Sequence, residues 1–154
     1  MSKLSILLMD DVVTPYGSML SGPTAGLTRH GFLCEFDSGS RNESGALLPT
    51  ADSHGKQLAA VVKERKCVGV VLDHHWADGS FCGFDIWQAA VLHKIPIKKE
   101  NVVFVTQYES ANTFPQLAVA AGFTAEQAQY KHAQGNEAVV RYFCRRFGVP
   151  FREG

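Results

Sequence analysis

Two short apolar runs in this chain end in aspartate. Leu4-Ser5-Ile6-Leu7-Leu8-Met9 leads into Asp10 and Asp11, and Cys67-Val68-Gly69-Val70-Val71-Leu72 leads into Asp73. Neither run alternates polar with apolar, and both are rich in branched residues. That pattern suits strands buried on both faces, as in a parallel sheet covered by helices. Side by side in one such sheet, the two runs bring three carboxylates to the same edge. In open α/β sheets that carboxyl edge is where ligands bind. Crowded carboxylates repel one another, and a hard divalent cation such as Mg²⁺ keeps them ionised together.

The rest of the chain alternates strand and helix signals. Strands are expected over 4–9, 32–36, 67–72, 101–106 and 128–131, and helices over 22–30, 56–66, 84–93, 114–121 and 136–147. Pro23 fits a first helical turn, and Gly31 and Gly122 fit helix stops. Residues 76–80, with Asp78-Gly79, read as a turn. Residues 37–55, rich in Ser, Gly and Asn, read as an exposed, mobile loop, long for a compact domain. Five strands alternating with five helices argue a doubly wound α/β domain with a five-stranded parallel sheet.

Composition narrows the partners. The 154 residues carry 15 basic and 15 acidic side chains, so bulk charge gives no reason to expect nucleic acid. The longest apolar stretches are too short to span a bilayer, and Met1-Ser2-Lys3 leads into the first strand without a secretory signal. Cys34, Cys67, Cys82 and Cys144 lie far apart, which fits reduced thiols in the cytoplasm. The expectation is one domain over 1–154, with no nucleic-acid or membrane partner.

With these residues in place, the chain resembles the receiver domain of two-component response regulators. The resemblance rests on Asp10-Asp11 after the first strand, Asp73 after the third, Thr106 after the fourth and Lys131 after the fifth. Val71-Leu72-Asp73 with the following Asp78-Gly79 turn is similar to the family's acceptor strand, and Val103-Phe104-Val105-Thr106 to its threonine strand. No one of these motifs is specific; five in the right order are. The resemblance implies a flavodoxin-like sheet in the strand order 2-1-3-4-5. It implies that Asp73 accepts a phosphoryl group from a histidine kinase or phosphotransfer protein. Asp10, Asp11, Asp73 and the backbone carbonyl of His75 would hold Mg²⁺. Lys131 would pair with the phosphate, and Thr106 would donate its hydroxyl to it. A carboxylate nucleophile and concentrated positive charge are what phosphoryl transfer needs. The chain would then be a stand-alone phosphoacceptor rather than an enzyme acting on other molecules. Without an output domain it would signal through an unidentified downstream protein.

Several positions depart from the family pattern. His132 follows the lysine where a proline is usual, and Ala77 occupies the neighbourhood of another usual proline. Gln107 follows the threonine in place of a small residue. Ala128 stands where the fifth strand carries an aromatic, while Tyr130 adjoins Lys131. These departures leave a second reading open, a receiver-like interaction module that does not cycle phosphate. A third is suggested by Asp73-His74-His75, the signature of the DHH phosphoesterases, which are metal-dependent phosphohydrolases.

Overall fold

The computed structural model describes residues 3–12, 20–107 and 112–153. Its main sheet contains β1 (Ser5–Met9), β2 (Leu33–Asp37), β3 (Gly69–Asp73), β6 (Val102–Thr106) and β7 (Ala128–Tyr130), and β4 (His75–Trp76) and β5 (Phe81–Cys82) form a separate small hairpin. The helices are α1 (Ser21–Arg29), α2 (Ala51–Arg65), α3 (Gly83–Leu92), α4 (Thr113–Ala120) and α5 (Ala133–Phe147). The order across the main sheet is β2-β1-β3-β6-β7, and every pairing in it is parallel. This is the doubly wound, flavodoxin-like order 2-1-3-4-5 expected from the sequence, counted over the five main strands.

The sheet has two apolar faces because its central strands alternate between two cores. Leu7 and Met9 of β1, Val70 and Leu72 of β3 and Phe104 of β6 join Leu58, Val62, Trp87 and Phe114 under α2, α3 and α4. Ile6 and Leu8, Val71, Val103 and Val105 join Leu27, Val140 and Phe143 under α1 and α5. Helices on both sides explain why the strand runs are continuously apolar: neither side faces water.

The structure corrects the reading of residues 37–55. Helix α2 begins at Ala51, with the Thr50 side chain accepting from Ser53 N at 3.3 Å as its N-cap. Residues 51–55 are thus helical, and His54 is fully buried. The hairpin of β4 and β5 stands where the sequence predicts a plain turn. It pairs His75 with Cys82 and Trp76 with Phe81 around a short 3-10 turn at Ala77–Gly79. Ala77 sits there at φ 49° and Asp78 at φ 55°, a region closed to proline, whose ring holds φ near −65°. The missing proline at this position therefore matches the backbone.

Gly55 lets α2 and α3 touch. A Cβ built there would lie 2.4 Å from Ala89 Cβ and 2.6 Å from Ala90 N. In an exposed helix interior, Gly→Ala stabilises by about 1 kcal/mol. Here the clash reverses the sign, because the atoms it meets are backbone and a Cβ rather than a flexible tip. Gly55→Ala is expected to destabilise the protein by ~1–3 kcal/mol, the cost typical of overpacking, as read by urea denaturation. A stabilised variant would contradict this packing.

Candidate functional site

Strand register places the site. Met9 of β1 lies opposite Leu72 of β3, so Asp10 and Asp73 follow as neighbours at the carboxyl edge. β6 sits on the other side of β3, and β7 beyond it pairs Thr106 with Tyr130. Lys131 follows directly, its backbone N–H donating to Thr106 O at 2.7 Å. From that position its side chain crosses the end of β6. Lys131 Nζ lies 2.5 Å from Asp73 Oδ1 and 3.9 Å from Asp10 Oδ2. Both partners of the closer pair are nearly inaccessible, with side-chain exposures of 6% and 5%. Thr106 is fully buried beside this pair at the end of β6.

Asp10, Asp11 and Asp73 each offer a carboxylate oxygen within 4.8 Å of the others. Asp10 and Asp73 are buried and Asp11 is half-buried. Asp11 N–H donates to Asp10 Oδ1 at 2.7 Å, just after β1. His75 begins β4, two residues after Asp73. The expected residues of the pocket, Asp10, Asp11, Asp73, Thr106 and Lys131, therefore stand at one edge of the sheet.

Charge in this pocket does not balance, because three carboxylates face one ammonium. Burial, then the charge of Asp10, push the Asp73 carboxyl up to about 8, with Lys131 acting in the opposite direction. Burial also raises Asp11, to about 6, with the hydrogen bond and charge of Asp10 adding to it. Desolvation outweighs the ion pair because one cation is shared among three anions. Hard oxygen donors, a surplus of negative charge and carboxyls held above their ordinary range fit a divalent cation such as Mg²⁺. Asp10, Asp11 and Asp73 are the side chains that would hold it.

His74 turns away from this chemistry. It is buried against Phe84, Phe114 and Phe104, with ring centroids at 4.5, 4.7 and 6.4 Å. Burial pushes it down to about 4, so it is neutral. Its Nδ1 makes no hydrogen bond among the described residues.

Three partners were missed in the sequence. Trp76 is fully buried and donates its indole N–H to the backbone O of Asp73 at 2.6 Å. Tyr130 donates its hydroxyl to Gln107 O at 3.0 Å, tying the end of β7 to the residue after Thr106. His132 is the N-cap of α5: its Nδ1 accepts from Gly135 N at 2.9 Å, and its own N–H donates to Tyr130 O at 2.9 Å. Its φ of −151° is beyond proline's range. His132 thus does a capping task, which a polar residue between a strand and a helix can signal. The bonds of Trp76 and Tyr130 to main-chain atoms leave no periodic trace.

Comparisons with known proteins give similarity at low identity. No protein-family model matches the chain, and no curated protein matches it significantly. Among solved structures, the anti-anti-sigma factor PhyR from Bartonella quintana is similar at 11% identity and a TM-score of 0.48, over 96% of this chain and 51% of that one. A transcription regulator like protein from Staphylococcus haemolyticus is similar at 11% identity and a TM-score of 0.40, over 97% of this chain and 58% of that one. The chain thus spans about half the length of the solved chains it matches.

The pocket has a signature in stability. The Asp73 carboxyl is raised above its unfolded value near 3.8. Its ionisation therefore costs folding free energy. The cost is absent below the unfolded value, grows through the window from about 4 to about 8, and is full above it. Without divalent cation, Asp73→Asn is expected to melt higher than the parent at pH 8, by several degrees, with the difference vanishing near pH 4. Thermal denaturation in chelator at a series of pH values checks this, and an advantage that does not grow with pH contradicts it.

Proposed function

We propose that this chain is a receiver-type phosphoacceptor. Asp73 takes a phosphoryl group from a histidine kinase or phosphotransfer protein in a Mg²⁺-dependent reaction, and the domain then signals by protein contact. The supporting observation is the convergence on Asp73: Lys131 Nζ at 2.5 Å, with Asp10 and Asp11 completing a compact carboxylate cluster. In the proposed step an Asp73 carboxylate oxygen attacks phosphorus. The new O–P bond forms as the P–N bond to the donor imidazole breaks, and that nitrogen keeps the electron pair. Only the ionised carboxylate can attack, and burial opposes ionisation. A bound cation would supply the missing positive charge. Lys131, beside Asp73, would balance charge on the incoming group. Thr106 closes the edge beside it.

No helix among the described residues is long and apolar enough to cross a membrane. A cytoplasmic setting fits the four free cysteines. The DHH phosphohydrolase reading is less well supported. Among the described residues, the side chains grouped to hold a metal are three carboxylates and no histidine, and His74 packs among phenylalanines.

The reading of a module that does not cycle phosphate draws on Ala128 and Gln107. Ala128 is buried opposite Phe104, so the usual ring position of the fifth strand is filled by a methyl group. Tyr130 supplies the aromatic link to the threonine strand, through its bond to Gln107 O.

The test is intact mass after incubation with acetyl phosphate and Mg²⁺. The parent protein is expected to gain one phosphoryl group. Asp73→Asn is expected to gain none, and Lys131→Ala to react at a rate lowered ~100-fold or more, in line with loss of one electrostatic stabiliser. Uptake by Asp73→Asn at the parent rate would remove Asp73 as acceptor. No uptake by the parent would favour the interaction module, and continuous release of phosphate the hydrolase.

A further inference from the structure

Residues 38–50, between β2 and α2, are tied to the acidic pocket from two sides. Arg41 is the first tie. Its Nη2 donates to the backbone O of Asp11 at 2.6 Å, its Nη1 to Gly45 O at 2.8 Å and its Nε to Ser38 O at 3.3 Å. One guanidinium thus gathers three main-chain carbonyls, one of them 30 residues away. Planar, always charged and with five donors in a fixed fork, arginine suits this task as lysine does not.

The second tie is His54. Ser40 N–H donates to its Nδ1 at 3.0 Å, and its Nε2–H donates to Leu48 O at 2.8 Å, which fixes the neutral Nε2–H tautomer. The His54 ring packs on Trp76 with centroids 4.9 Å apart. Trp76 in turn holds the backbone of Asp73. Gly39 is pressed into the same place: a Cβ there would lie 2.9 Å from the Trp76 ring and 3.0 Å from His54 Nδ1. The segment therefore touches the main chain of Asp11 through Arg41, and that of Asp73 through His54 and Trp76.

We propose that Arg41 is a positioning residue for the acidic pocket. By clamping the Asp11 carbonyl it holds the turn after β1, so that the Asp11 carboxylate stays beside Asp10 and Asp73 for a divalent cation. The proposal rests on the cation reading of the pocket and adds a residue to it. It has a second half by reciprocity: a segment that helps the pocket bind a cation is itself steadied when the cation binds.

The sign of the effect separates positioning from charge. Arg41 carries a positive charge close to a cation site. If it acted only through that charge, Arg41→Gln would tighten cation binding. Positioning predicts the reverse. Supporting groups that orient metal ligands typically contribute 10–100-fold in affinity. Arg41→Gln and Arg41→Lys are both expected to weaken Mg²⁺ binding roughly tenfold, since lysine keeps the charge and loses the fork. The titration is read by tryptophan fluorescence, because Trp76 lies against Asp73.

Hydrogen exchange without metal gives an independent arm. The amides of residues 10–12 and 38–48 are expected to exchange faster together in Arg41→Gln, and Mg²⁺ is expected to slow residues 38–48 in the parent protein. Tighter or unchanged Mg²⁺ binding in Arg41→Gln overturns the proposal. So does unchanged exchange in both segments without metal. If the parent binds no Mg²⁺, the cation reading of the pocket fails, and the metal-free exchange decides whether Arg41 positions the turn.

Discussion

The contact between Lys131 and Asp73 is the constraint on which the rest of the site depends. It joins residues 58 positions apart, and both side chains are almost wholly removed from water. A buried ammonium beside a buried carboxylate survives only with tight geometry, because desolvation costs several kcal/mol per ion. That geometry needs β6 between β3 and β7, the Thr106–Tyr130 register, and α5 starting directly after Lys131. Gly135 permits the last. A Cβ there would fall 1.8 Å from Tyr130 O, so only glycine lets the first turn of α5 close against the end of β7. Local choices at His132 and Gly135 thus serve a contact made across two strands.

The pair also leaves the pocket unfinished. Asp10 sits 3.9 Å from the same ammonium, and Asp11 hydrogen-bonds back to Asp10. At an effective dielectric near 20, two unit charges 4 Å apart interact by about 4 kcal/mol. Attraction to Lys131 and repulsion among the carboxylates act against each other here, and burial is the largest single effect on Asp11 and Asp73. It pushes both carboxyls upward. Under the proposed reading, a cation would relieve that state. This surplus of negative charge links the stability of the fold to the chemistry proposed for it.

Much of this was legible in the sequence, for physical reasons. The runs before Asp10 and Asp73 are continuously apolar because helices cover both faces of the sheet, and that pattern survives in the residues themselves. The alternation of elements pointed to a doubly wound sheet, and the resemblance to receiver domains implied its strand order and the meeting of Asp10, Asp11, Asp73, Thr106 and Lys131. Other parts left little trace. Gly55 made the start of α2 look like loop, although it is a packing glycine inside the helix. The bonds of Arg41 to Asp11 O, Trp76 to Asp73 O and Tyr130 to Gln107 O run from side chain to distant main chain, which no periodicity encodes. Residues 108–111, just after Thr106, lie outside the described residues.

The central claim is that Asp73 is the atom-level focus of a cation-assisted phosphoryl site. Fluorine NMR with beryllofluoride, which mimics a phosphoryl group on a carboxylate, tests it most directly. In the presence of Mg²⁺ the account predicts bound fluoride signals distinct from free beryllofluoride, lost in Asp73→Asn and lost on chelation of the metal. Bound signals that persist in Asp73→Asn, or their absence from the parent protein at saturating Mg²⁺, would contradict it.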